Sequence, residues 1–293
     1  MKLIDGKQVS SDIRDTIKKE VAGFLDKGKR APHLAAILVG EDAASQTYVA
    51  NKEKSCKNVG IISSVYRLPV KTTQDELLGI IDFINQDDDV DGVIVQLPLP
   101  EHIDNNTIIE AIHPSKDVDG FHPVNIGKMV SGLPTYLPAT PYGILMMLEY
   151  YKIETSGKNC VVLGRSNIVG TPMSLLLSRK AYPGNCTVTT VHSRSQNIEK
   201  ITAEADIIVA ALGQPHFLKE EMVKKDAVII DVGIHRVPSE TTKSGFRLIG
   251  DVDFEKVAPK ASWITPVPGG VGPMTITGLL MNTLQAYKKE IYS

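Results

Sequence analysis

The stretch Val161-Val162-Leu163-Gly164-Arg165-Ser166-Asn167-Ile168-Val169-Gly170-Thr171-Pro172 decides the fold. An apolar run from Cys160 to Leu163 turns on Gly164, Gly170 follows six residues later, and apolar residues at helical spacing begin at Met173. That order spells strand, glycine turn, helix. It is the layout in which a helix N-terminus offers backbone N–H groups to a pyrophosphate. Gly164 can take backbone angles closed to other residues, and Gly170 lets strand and helix approach closely. The common fingerprint is G-x-G-x-x-G; the middle glycine is absent here, so the loop alone also fits an ordinary βα turn.

The next strand adds the discriminating residues. Thr187 to Val191 reads as a strand and runs into His192-Ser193-Arg194-Ser195. An NAD site places an acid near this point to accept from the ribose 2′-hydroxyl. No acid stands here. Arg165, Ser193 and Arg194 instead offer cationic and hydroxyl donors, which suit a 2′-phosphate because charge-assisted bonds to phosphate are strong. The pattern points to NADP, with the Gly164 turn, Arg165, Ser193 and Arg194 as cofactor contacts.

Working outward, 293 residues are enough for two medium α/β domains with real cores. A net charge of -2 gives no field for nucleic acid or an anionic membrane. No signal-peptide pattern and no apolar run long enough to span a bilayer is read, so the expected setting is cytoplasmic. Cys56, Cys160 and Cys186 lie far apart without metal-ligand spacing, and are expected to be buried thiols.

Continuous apolar strands are read at residues 35–40, 63–68 and 92–97, alternating with helices at 10–25, 45–59, 73–85 and 105–112. Ser10 and Ser11 are read as the cap of the first helix. Such alternation means a parallel sheet covered on both faces. Residues 115–140 show no clear periodicity and read as loop with short elements. Pro141 opens a helix to 151, and a second series of strands follows near 160–163, 187–191, 206–211, 227–232 and 262–265, before a terminal helix over 274–287. The expected division is 1–140 plus 274–293, and 141–273.

Four constellations carry chemistry. Tyr48 and Lys52 stand at i and i+4, one above the other on a helix face. A lysine held beside an aromatic ring and away from water becomes a proton carrier; the alternative is a solvated lysine beside Glu53 and Lys54. Gln96 closes the apolar run Val93-Ile94-Val95, where a polar amide must find partners in the backbone, in a ligand or in Lys52. Asp117 and Asp119 flank Val118 before Gly120. They lack the further acids of a calcium loop, so no metal is expected, and a carboxylate there can accept two parallel N–H donors. Residues 265–275, with three prolines and three glycines, make a stiff turn for a flat ligand and include Gly270 and Pro273.

At these residues the chain resembles the bifunctional methylenetetrahydrofolate dehydrogenase/methenyltetrahydrofolate cyclohydrolase family. The matching stretches are YVANK, VIVQLPLP, PSKDVDGFHP, VVLGRSNIVGTP, VHSRS, IIDVGIHRV and ITPVPGGVGPMT, which span nearly the whole chain. The resemblance implies two α/β domains flanking a cleft, a folate-binding catalytic domain and a Rossmann-like NADP-binding domain. It also implies tetrahydrofolate derivatives as substrates, a homodimer, and a place in one-carbon metabolism serving purine biosynthesis. Lys52, Gln96 and Asp119 fall on the family's catalytic positions, Tyr48, Gly270 and Pro273 on substrate positions, and Ser166 and Ile234 join the cofactor contacts. Two other readings stay open: a dehydrogenase without the hydrolytic step, separable by activity at Lys52, and a catalytically silent NADP-binding sensor.

Overall fold

The structure is a computed structural model that describes residues 1–239, 242 and 245–292. In chain order the elements are β1 (Lys2–Leu3), α1 (Gly6–Leu25), β2 (His33–Val39), α2 (Ala43–Val59), β3 (Ile62–Leu68), α3 (Gln74–Gln86), β4 (Gly92–Val95), α4 (Asn105–Ala111), α5 (Pro123–Val130), α6 (Ala139–Tyr150), β5 (Asn159–Leu163), α7 (Gly170–Ser178), β6 (Thr187–Val191), α8 (Ile198–Ala203), β7 (Ile207–Ala210), β8 (Val228–Asp231), β9 (His235–Pro238), β10 (Phe246–Ile249), α9 (Phe254–Val257), β11 (Trp263–Ile264) and α10 (Val271–Tyr287). They divide into a six-stranded unit, Met1–Ser11 with Thr140–Thr275, and a three-stranded unit, Asp12–Ala139 with Ile276–Ser293.

In the three-stranded unit the order is β3-β2-β4, all parallel, with Ile37 opposite Tyr66 on one side and Val95 on the other. The apolar run of β2 is buried on both faces because alternate residues point opposite ways. Leu34 and Ala36 pack with Ile17, Val21, Cys56, Leu280 and Leu284, while Ala35, Ile37 and Val39 pack with Leu77, Ile81 and Ile84. Helix α3 starts with a capping box, in which the Thr73 hydroxyl accepts from Glu76 N–H and the Glu76 carboxylate accepts from Thr73 N–H. Helix α2 is capped by Asp42 and ends on the left-handed Gly60.

The six-stranded unit holds the parallel order β1-β11-β8-β7-β5-β6, a Rossmann-like sheet. Strand β5 has β6 on one side and β7 on the other, so the chain reverses direction across the sheet there. Ligand sites of open α/β sheets form at the carboxyl end of such a switch point. Here that end is the Gly164 turn.

Several expectations are corrected. The sequence pattern groups residues 1–11 with the first domain, yet they belong with the six-stranded unit, because β1 pairs with β11 and Gly269 O accepts from Lys7 N–H. Helix α1 begins at Gly6, not at Ser10: Asp5 Oδ1 accepts from Lys7 and Gln8 N–H and so caps the helix a turn earlier. The short element expected within residues 115–140 is α5, eight residues that are too few to show a period. The antiparallel β9–β10 pair was not anticipated, since its strands are largely exposed and carry no buried apolar run.

Candidate functional site

In the three-stranded unit the site is built on α2, the end of β4 and the turn after residue 116. The buried residues of α2 are Ser45, Val49, Lys52, Ser55, Cys56 and Val59, one stripe at helical spacing. Lys52 therefore lies on the inward face and is only 9% exposed, which excludes the solvated reading. Tyr48, one turn earlier, stays exposed, an aromatic face open to a ligand.

Lys52 Nζ donates to Gln96 Oε1 at 3.1 Å, and Gln96 Nε2 donates to Leu97 O at 2.7 Å. The second bond fixes the amide with its oxygen toward the lysine. The Gln96 N–H donates to Ile37 O, anchoring the residue to the sheet just past β4. Sequence reading named both residues and left their pairing among several options; the fold closes a separation of 44 positions.

Asp119 sits half-buried in a turn that Asp117 organises. Asp117 Oδ1 accepts from the Gly120 and Phe121 N–H groups, and its Oδ2 accepts from His122 N–H and Asn125 Nδ2, at 2.8–3.2 Å. Gly120 takes φ +74, and a Cβ there would stand 2.6 Å from the Leu137 carbonyl carbon. With both oxygens engaged, Asp117 is a structural partner rather than a second ligand-facing acid. Burial pushes the Asp119 carboxyl above the usual carboxylate range, the charge of Lys52 opposes this, and Asp117 adds to it. All three cysteines are free and buried, and burial pushes the Cys56 thiol up to about 12, far from a reactive thiolate.

In the six-stranded unit, Gly164 has φ +111 and a Cβ there would stand 2.3 Å from Ala211 O. Gly170 leaves the same clearance to Gly164 O. Turn and helix therefore close on each other only as glycines. The helix-start N–H groups are not left open as the sequence suggested. Ser166 Oγ accepts from Val169 and Gly170 N–H, and Ser166 O accepts from Thr171 N–H. Ser166 thus shapes the turn through internal bonds.

Leu163 and Val191 are register partners, so Arg165 and Ser193 each stand two residues past the same rung. Arg165, Ser193 and Arg194 are exposed, and no carboxylate lies among residues 192–195. That donor set fits a phosphorylated ribose. Ile234 is exposed in the turn between β8 and β9, and Gly272 approaches its Cδ1. Gly270 is buried, and a Cβ on it would stand 2.6 Å from Pro266 O; the half-buried Pro273 follows in α10.

Sequence reading missed a buried pair beside this site, Asp231 and Asp251. Asp231 Oδ1 accepts from Gly233 and Asp251 N–H, and its Oδ2 accepts from Val252 N–H. Burial pushes Asp231 up to about 7; its backbone donors pull the other way and Asp251 adds to the rise. The available signal was an acid at the end of an apolar strand, Ile229-Ile230-Asp231.

A parallel sheet with a glycine turn at its switch point is the architecture of a dinucleotide-binding protein, and a buried lysine–amide pair near a desolvated acid is a donor–acceptor set suited to an enzyme. Comparison with known proteins specifies which. A family profile described as tetrahydrofolate dehydrogenase/cyclohydrolase, catalytic domain, matches residues 4–119, and one described as the NAD(P)-binding domain of the same family matches 138–291. The bifunctional protein FolD of Bacteroides thetaiotaomicron is 60% identical over 292 residues, covering 100% of both chains. The crystal structure of the FolD methylenetetrahydrofolate dehydrogenase/cyclohydrolase of Campylobacter jejuni superposes with a TM-score of 0.93 at 46% identity, covering 99% of each chain. The Trypanosoma brucei dehydrogenase-cyclohydrolase, solved with NADP and an inhibitor, gives 0.92 at 37% identity, covering 99% of this chain and 98% of that one. The chain belongs to the tetrahydrofolate dehydrogenase/cyclohydrolase family.

Proposed function

We propose that the protein oxidises 5,10-methylenetetrahydrofolate to 5,10-methenyltetrahydrofolate with NADP, and then hydrolyses the product to 10-formyltetrahydrofolate at the same centre. The observation that carries this reading is the inward-facing Lys52 hydrogen-bonded to Gln96. A silent cofactor sensor has no use for such a pair. The folate is assigned to the three-stranded unit through Tyr48, Lys52, Gln96 and Asp119. The cofactor is assigned to the six-stranded unit through Gly164, Arg165, Ser166, Ser193, Arg194 and Ile234. NADP, when bound, supplies the two-electron acceptor.

The chain's own residues handle position and protons. Asp119 accepts the two N–H donors on the pterin edge, and Tyr48 packs flat against the ring. Oxidation leaves a cationic methenyl bridge. Water attacking that carbon must give up a proton, and the ring nitrogen must gain one as the bridge opens. Lys52 relays this proton, held on line by Gln96 Oε1. The family resemblance also supports a homodimer working in the cytoplasm on one-carbon units for purine synthesis; sedimentation of the purified protein reads the dimer. The test of the reaction is a pair of assays on one preparation, NADPH formation and methenyl decay corrected for the spontaneous rate.

Arg165→Ala should weaken NADP while leaving NAD nearly untouched. A charge-assisted contact to the 2′-phosphate is worth roughly 1.5–3 kcal/mol, or about ten- to a hundredfold in affinity. Equal KM values for the two cofactors in the unmutated protein would sink the assignment of Arg165, Ser193 and Arg194.

Folate affinity should depend on pH through Asp119. Burial raises the free carboxyl, whereas two N–H donors from a bound pterin favour the ionised form and lower it. Binding then releases a proton between the two values, so affinity rises with pH across that acid window. Titrating folate binding from the ordinary carboxylate range up to neutrality in the parent and in Asp119→Asn reads this directly. The slope belongs elsewhere if the asparagine variant keeps it.

A further inference from the structure

An enclosed polar cluster that the proposed chemistry does not use lies at the carboxyl ends of β7 and β8. Asp251 is fully buried. Its Oδ2 accepts from Leu212 N–H at 2.7 Å and Gly213 N–H at 2.9 Å, and its Oδ1 lies 2.7 Å from His235 Nε2. Leu212 and Gly213 begin the loop after β7, and His235 closes the turn after β8. One carboxylate thus ties two loops together. The Asp251 N–H is held in turn by Asp231 Oδ1, so the acid cannot swing away.

Both loops reach the cofactor side of the sheet. Ala211 N–H donates to Leu163 O at 2.9 Å, and Ala211 O is the atom against which Gly164 is packed. Leu212 follows directly. The other loop presents Ile234 between Gly233, bound to Asp231, and His235, bound to Asp251. We infer that Asp251 is a positioning residue for the NADP site, clamping the loops after β7 and β8 so that the Gly164 turn and Ile234 keep their places. Its reach is set by three donors on one buried carboxylate, which hold geometry more firmly than neutral bonds do. The inference rests on the assignment of NADP to the Gly164 turn.

The test compares four variants by kinetics, with methenyl hydrolysis as the internal control because that step needs no NADP. Asp251→Asn keeps the size but loses the charge and turns one of the two acceptor oxygens into an NH2 donor. It should raise the KM for NADP at least tenfold, with hydrolysis within twofold of the parent. His235→Ala should raise that KM several-fold, and His235→Gln, which restores an N–H donor, should return it toward the parent. A purely structural role predicts a different pattern: a lower melting temperature, with both activities reduced in proportion and the KM unmoved. That pattern overturns the inference, as does a His235→Gln variant no better than His235→Ala. The two histidine variants decide the matter if Asp251→Asn does not fold. Arg165→Ala is measured alongside. If it weakens NADP while the Asp251 and His235 variants do not, the cofactor site stands and the clamp falls. If none of the four changes the KM, both fall.

Discussion

Lys52→Met abolishes methenyl hydrolysis above the spontaneous rate and leaves NADPH formation measurable. The substitution keeps the aliphatic stem on the buried face of α2 and removes only the amine that donates to Gln96 Oε1. Forming the methenyl cation by two-electron oxidation requires no basic side chain. Opening it requires a proton to leave water and another to reach the ring nitrogen. Positioned proton transfer is worth about 10²–10⁴-fold in rate, and hydrolysis should fall by that factor. Gln96 loses one partner but keeps its bonds to Leu97 and Ile37, so the strand end stays in place. A variant that hydrolyses the methenyl compound as fast as the parent assigns the proton relay to another residue, and the dehydrogenase-only reading then gains.

Asp119→Ala depresses both activities together, by about a hundredfold in kcat/KM. The reason is placement: a substrate displaced by about 1 Å loses on the order of 10²-fold, whichever step follows. The Asp117 bonds to Gly120, Phe121, His122 and Asn125 do not involve the Asp119 side chain, so the turn should survive the change. Loss of one activity alone would make Asp119 a chemical participant in that step rather than a substrate anchor. Kinetics for both reactions on the same purified variant separate the two outcomes.

The parallel sheets were legible because β2, β4, β5, β7 and β8 are continuous apolar runs, and only burial on two faces calls for those. The Gly164–Gly170 turn was legible for a related reason, since contacts as short as those at Ala211 O and Gly164 O exclude any side chain. Site residues were legible one by one, as polar groups where apolar ones belong: Gln96 at a strand end, Lys52 one turn from Tyr48. Their mutual bond was not, because it depends on where α2 lies against β4.

What escaped the sequence is what long-range pairing decides. Strand β1 is two residues with no pattern of its own and exists through β11. Asp5 outcompetes Ser10 and Ser11 as a cap because Lys7 N–H is also fixed by Gly269. Asp117 and Asp119 are equivalent in the sequence pattern, yet Asp117 spends both oxygens on N–H donors of its own turn. Asp251 carries no local signal because its partners, Leu212, Gly213 and His235, lie 16 to 39 positions away.

The most direct test of the central claim follows the unmutated protein with 5,10-methylenetetrahydrofolate and either NADP or NAD, recording reduced cofactor and methenyl absorbance in one cuvette. The account predicts NADPH formation in preference to NADH, and a methenyl signal that rises briefly and then decays faster than in protein-free buffer. Methenyl product that accumulates and decays only at the spontaneous rate would contradict it.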